Sequence, residues 1–392
     1  MRHQAPTAWR RNGTSPDRIA RRFGDTALLI ACIVLGAIAI GAAVWGIVEG
    51  KSGKDEAMPG LSATATEELV RIYGGAMDDV NAAAGKAILQ LGEDPTKRSA
   101  QFRLDRAARL QAEIADRLRV LNVQVERTLT PALVAGLTTS ITQAERESIA
   151  LMGVGKFETR SIDKLAQDSA ALTRPGITGP LSAAARSHAE NASGVFRRLS
   201  TISGGTSTLA RGSGGIAKVE IGINRAIARG LITGDPRAIE KAVREGIGQG
   251  VFGEENALSY RRLGNQYIQV GNATLSVRDY AKTVARTRAA EAAIDAARDR
   301  MGEFGIDAAI IVGRESENFC TAYLGLIVGL SGPITIDGVT FPALDDLPDG
   351  GPPFHPKCSK GISAYDPELS DPGLLEIAKA TLTAGAEEIE DA

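Results

Sequence analysis

Cysteine and histidine are both scarce: the chain carries only three of each in 392 residues. Three cysteines (Cys32, Cys320, Cys358) cannot build a disulfide scaffold. Aromatic residues make up only 4% of the chain, with two tryptophans. That argues against an aromatic-rich sandwich or barrel core and against rows of stacking side chains for single-stranded nucleic acid. A large net charge is missing too. The formal value is −2, which favours neither a nucleic-acid binder nor an acid-solvated chain as a whole. What remains is alanine, glycine and small aliphatics, with a hydrophobic share of 43%. Small side chains filling the core favour close-packed helices, and the length allows two or three domains.

Charge is unevenly placed. Residues 1–25 hold six arginines against Asp17 and Asp25 and read as a basic tail. Residues 26–48, TALLIACIVLGAIAIGAAVWGIV, contain no charge. Twenty-three helical residues span the hydrocarbon core of a bilayer, so a transmembrane helix is expected, with Cys32 as a small hydrophobe inside it. Arginines precede the run, and the charges after it roughly cancel, which places the N-terminus in the cytoplasm. Residues 49–60 form a Gly/Pro-punctuated linker. Residues 366–392 hold eight acids against Lys379 and read as a solvated acidic tail.

Between the tails, helices dominate. Thr64-Ala65-Thr66-Glu67 has the form of a capping box. Leu104, Ala107, Leu110, Ile114, Leu118, Leu121, Val125 and Leu129 recur every three or four residues, one apolar stripe of a long helix. Thr130-Pro131 then reads as the start of another helix, so residues 61–152 form a long-helix region. Residues 153–260 are Gly/Ala-rich with helical patches, one of them opened by Asp235-Pro236. Arg197, Arg198, Arg211, Lys218, Arg225 and Arg229 against Glu220 give that region a local +5. These cations are candidates for phosphate contacts on double-stranded DNA, although a solvated face explains them as well. Gly248-Gln249-Gly250-Val251-Phe252-Gly253 fits GxGxxG but follows a helix, so it reads as a loop and not as a dinucleotide site.

Residues 261–365 change character. Tyr267 to Leu275 reads as a hairpin, Ser276 caps a helix running to about Met301, and Ile306 to Val312 reads as a buried strand. Glu291 falls on the mostly apolar stripe of that helix and needs a partner, which Arg288 can supply. Gly350 to Gly361, GGPPFHPKCSKG, is too rich in proline and glycine for a helix or a central strand. The expected architecture is therefore mainly α, with an N-terminal transmembrane helix, a long-helix region, and a small α+β C-terminal domain with a hairpin and a Pro-rich Cys/His loop.

The segment from Tyr267 resembles the C-terminal domain of the tailed-phage minor capsid, or head-morphogenesis, family that includes phage Mu F-like proteins. The residues that carry the resemblance are Ser276, Tyr280-Ala281, Val284-Ala285-Arg286-Thr287, Glu291-Ala292, Cys320 and Pro352-Pro353-Phe354-His355-Pro356-Lys357-Cys358, in that order. The family's second cysteine of a Cys-x-x-Cys is Tyr323 here, and Ser359 and Lys360 stand where a last Cys or His is common. The resemblance implies a structural protein of the virion interior that contacts portal, capsid and packaged DNA. A complete ligand set would look like a zinc ribbon. Here Cys320, His355 and Cys358 leave three readings open. One is a metal site, zinc included, completed by Asp345, Asp346, Glu317 or water. Another is a Cys320–Cys358 disulfide. The favoured one is a buried architectural remnant, in which His355 pins the loop with Pro352, Pro353, Pro356 and Cys358 onto the helix of Arg286 and Glu291. No catalytic constellation is expected. The alternatives to a virion role are a prophage-derived or host protein displayed beyond the inner membrane and an ADP-ribosyltransferase-like toxin. The toxin reading rests on Glu315-Ser316-Glu317 and Thr206-Ser207-Thr208.

Overall fold

The computed structural model describes residues 60–93, 100–153, 155, 157–202, 214–270, 273–356 and 358–390. The basic tail, the expected membrane run 26–48 and most of the linker lie outside them. Among the described residues, no helix is long and apolar enough to cross a membrane.

Two compact units divide the chain. The described part of one, which takes in residues 371–392, is helix α8 (Pro372–Glu390), opened by Asp371 Oδ1 accepting from Gly373 N at 2.8 Å. The stretch expected to be a solvated acidic tail is thus largely helical. The other unit, residues 55–370, holds everything that follows.

Its body is built on α1 (Ala63–Glu93), α2 (Ala100–Met152), α3 (Ile162–Ile202) and α7 (Val277–Glu303). Leu69, Tyr73 and Met77 of α1 meet Leu121, Val125, Leu129, Leu133 and Leu137 of α2, Leu165 and Leu181 of α3, and Ala281, Ala285 and Ala289 of α7 in one core. A second core lies further along the same helices. There Val80 and Ala84 of α1 and Val195 and Phe196 of α3 pack with α4 (Gly214–Thr233), α5 (Pro236–Gly248) and α6 (Glu254–Gly264). Helix α1 begins at Ser62, whose hydroxyl accepts from Ala65 N at 3.1 Å, two residues before the expected cap at Thr64. Asp235 caps α5 as its sequence suggests, accepting from Arg237 N and Ala238 N. The GxGxxG stretch is the loop between α5 and α6, with Gly250 at φ +67°.

Two long helices depart from the sequence reading. Helix α2 runs unbroken for 53 residues through Pro131, about 80 Å at the helical rise. Pro131 is exposed and so is Arg127, whose carbonyl loses its helical donor. The defect therefore faces water, while Leu129, Leu133, Leu137 and Ile141 continue the buried stripe past it. Helix α3 crosses the Gly/Ala-rich region for 41 residues despite Pro175 and Pro180. Small residues that weaken a helix alone let its backbone approach its neighbours. Helix α7 is similar. The ladder Ala281, Ala285, Ala289, Ala293 and Ala296 is buried together with Val277, Ile294 and Met301, and Tyr280 and Val284 sit at its margin.

Hairpin β1 (Tyr267–Val270) and β2 (Ala273–Ser276) leads into α7, and Ser276 Oγ accepts from Asp279 N at 3.0 Å. After α7 comes a small lobe. Its sheet has the order β4-β3-β7, from β3 (Ala308–Val312), β4 (Ile327–Gly329) and β7 (Gly361–Tyr365), all antiparallel, and β5 (Ile334–Ile336) pairs with β6 (Val339–Phe341) beside it. A half-buried tie fixes the lobe to the bundle. Glu147 of α2 accepts from Ser363 Oγ at 2.9 Å and from Ala364 N at 3.2 Å. Within the bundle, Arg300 of α7, 2% exposed, ties that helix to α2 by donating to Glu145 and Glu303 and to the Arg160 carbonyl, each at 2.7 Å.

Candidate metal centre

Strands β3 and β7 pair so that Val312 faces Gly361, and the chain leaving β3 therefore runs beside the chain entering β7. Gly313 makes this approach possible. A Cβ there would stand 2.8 Å from the Ser359 carbonyl oxygen, and its φ is +145°. Beyond Gly313 a short turn carries Cys320 in the 3-10 segment Phe319–Tyr323. Thr321 braces it by donating to the Ser316 carbonyl and accepting from Ser316 N. On the other side, Gly350 and Gly351 take positive φ, Pro352-Pro353 is cis, and Cys358 N donates to the His355 carbonyl at 3.0 Å. Both cysteines stand at the shared end of two paired strands.

The side chains of Cys320, His355 and Cys358 converge, with one ligand atom from each lying within 4.8 Å of the others, so the group can hold a metal ion. Both cysteines are buried and free, so of the three open readings the disulfide is not formed. His355 Nδ1 donates to the Pro356 carbonyl at 2.9 Å, and Nε2 lies 3.2 Å from Cys320 Sγ. A backbone carbonyl holding the distal nitrogen is how metal-binding histidines are commonly oriented. Burial alone would raise the Cys320 thiol. The Ser316 hydroxyl, His355, the Lys360 ammonium and Cys358 outweigh it and lower the thiol below its ordinary value. Cys358 moves the other way, raised by burial and by negative charge on Cys320. Cys320 is thus the readier thiolate of the two.

Comparison with protein-family models, with curated proteins and with solved structures finds no match in any of the three.

The centre's chemistry rests on its own geometry, and that geometry has three corners. Tyr323, at the position where the resemblance would put a cysteine, stacks its ring on Phe354 at 4.8 Å. Phe354 has no exposed surface, and Phe319 lies against both Phe354 and His355. Asp345 is held by Arg298 at 2.7 and 3.0 Å. Among the described residues neither it nor Asp346 nor Glu317 joins the group. A four-ligand zinc ribbon does not fit these residues.

Other expected residues lie elsewhere. His355 does not pin the loop to α7, because both its ring nitrogens are engaged at Cys320 and Pro356. An open cavity of about 490 Å³ separates them instead, with Pro352, Pro353, His355 and Pro356 on one wall and Arg288 and Glu291 on the other. Glu291 accepts from Arg288 at 2.7 Å, the pairing its position required. Arg286 is half-buried on α7 and is not among the residues lining that cavity. Of the basic residues, Arg225 and Arg229 are exposed one turn apart on α4, and Arg197 and Arg198 are near the end of α3. Arg211 and the Lys218 side chain fall outside the described residues, as do Thr206, Ser207 and Thr208. Glu315 and Glu317 are exposed. The sequence reading missed Ser316, Tyr323, Phe354 and Lys360. Lys360 lies two residues after Cys358, but its burial came from the fold.

Proposed function

We propose that this chain is a structural component of a tailed-phage virion, of the minor capsid or head-morphogenesis type. In this reading the long helical body contacts portal and capsid proteins and the C-terminal lobe is an architectural module closed by its Cys/His centre. One observation carries the reading. The motif residues from Ser276 to Cys358 fold as a capped helix, a strand, a 3-10 turn carrying Cys320 and a rigid loop carrying His355 and Cys358, and the three side chains converge within 4.8 Å. A metal ion at that point would tie the end of β3 to the start of β7. Zinc is the ion the resemblance implies, and it would need a fourth ligand from outside the described side chains. Arg225 and Arg229 on the outer face of α4 suit backbone phosphates of packaged DNA, and the run 26–48 would enter the host membrane with the genome.

The test is peptide mass spectrometry on gradient-purified particles induced from the host that carries the gene, with a map of the neighbouring genes. The proposal expects the chain in particles at low copy number and genes for portal and large terminase beside its own. Its absence from particles, with recovery in the inner membrane beside secretion genes, would replace this reading with that of a displayed membrane protein.

A further inference from the structure

The centre has three protein ligands where a structural zinc site has four, and a positive charge stands near it. Lys360 is 1% exposed, and its ammonium donates to the Arg314 carbonyl. No described carboxylate pairs with it. It stands two residues after Cys358, packs its backbone and stem against Gly313, and its positive charge favours the Cys320 thiolate. When an ion binds, the two thiols release their protons and contribute two negative charges. With the Lys360 ammonium, the described side chains of the shell then sum to one negative charge. A monovalent ion neutralises it, whereas a divalent ion leaves one uncompensated positive charge in a buried site, which is costly. Two thiolates and one imidazole are also a soft set, and a soft d10 monovalent ion is satisfied by three ligands. The rings of Phe319, Tyr323 and Phe354 pack on the ligand turn and loop.

We propose that the Cys320–His355–Cys358 centre holds a soft monovalent cation, Cu(I), in three-coordinate form, in preference to a four-coordinate divalent ion. The inference rests on the reading of these residues as a metal centre.

The experiment uses the full chain, reduced and free of oxygen, titrated against chromophoric Cu(I) and Zn(II) chelators, with X-ray absorption on the copper-loaded protein. The expected result is one Cu(I) per chain with two sulfurs and one nitrogen around it. Replacing Lys360 by methionine removes the charge at similar size. It should lower the ratio of Cu(I) to Zn(II) affinity by about tenfold or more, and Lys360→Arg should leave the ratio close to that of the unaltered chain. A ratio unmoved by Lys360→Met, or a fourth protein ligand in the absorption spectrum, overturns the preference while leaving a metal centre in place. Binding of neither ion, or equal binding after Cys320→Ser and Cys358→Ser together, overturns the metal centre itself. The spectrum of the unaltered chain decides the coordination number even if a Lys360 variant fails to fold.

Discussion

Phe354 has no exposed surface and stacks on Tyr323, whereas Phe319, its neighbour across the loop, is 47% exposed. Truncating the buried ring leaves a cavity, so Phe354→Ala should destabilise the lobe by about 3–5 kcal/mol. Phe319→Ala should cost about 1 kcal/mol or less. Denaturant midpoints of the two variants check the contrast. His188 makes a different demand. Its Nε2 donates to Asn81 Oδ1 at 2.9 Å, Asn81 donates to the Leu263 carbonyl, and Nδ1 has no partner. Burial pushes the imidazole down from 6.5 to about 4. The folded chain therefore keeps His188 neutral while the unfolded chain protonates it more readily. Stability from this group is complete above about pH 6.5 and is lost as pH falls toward 4, by up to about 3 kcal/mol. Stability measured across that window should show the loss, and His188→Gln should flatten the slope.

At the scale of elements, period carried far but single residues misled. The stripe from Leu110 to Leu129 was legible because it repeats on one face and that face is buried. Leu104, at its start, is 66% exposed, although Phe102 and Ala107 on either side of it pack against the second core. Pro131 read as a helix start because its local preference is strong; the buried leucines on both sides outweighed it. Pro131→Ala restores the Arg127 hydrogen bond without touching the core and should raise stability by about 1–3 kcal/mol. A lower midpoint would mean that a bend at Pro131 is needed for packing. The ladder on α7 was hidden for the opposite reason. Alanines carry little hydrophobic signal, yet Ala281, Ala285 and Ala289 have no exposed surface. Ala285→Leu should cost about 1–3 kcal/mol or more by overpacking, read as a fall in the thermal midpoint.

For the whole molecule, the mainly helical class and the small sheet-bearing C-terminal lobe were legible in composition and in the hairpin, helix and strand order. The share of one core by α1, α2, α3 and α7 was not, since it pairs residues far apart in the chain. The centre was half legible. His355 and Cys358 stand out in a rigid loop, and Cys320 joins them through the pairing of β3 with β7, which the sequence does not display. The roles of Tyr323 and Lys360 depend on that convergence and so could not be read in advance. If the centre closes the lobe, the ion and the fold are linked. The most direct measurement is the metal content and thermal melting of the full chain, before and after chelation, beside His355→Ala. The account predicts one ion per chain, a lower melting temperature on chelation, and a variant that melts low and no longer responds to chelator. An unaltered chain that carries no ion after metal loading, and melts at the same temperature with and without chelator, would contradict it.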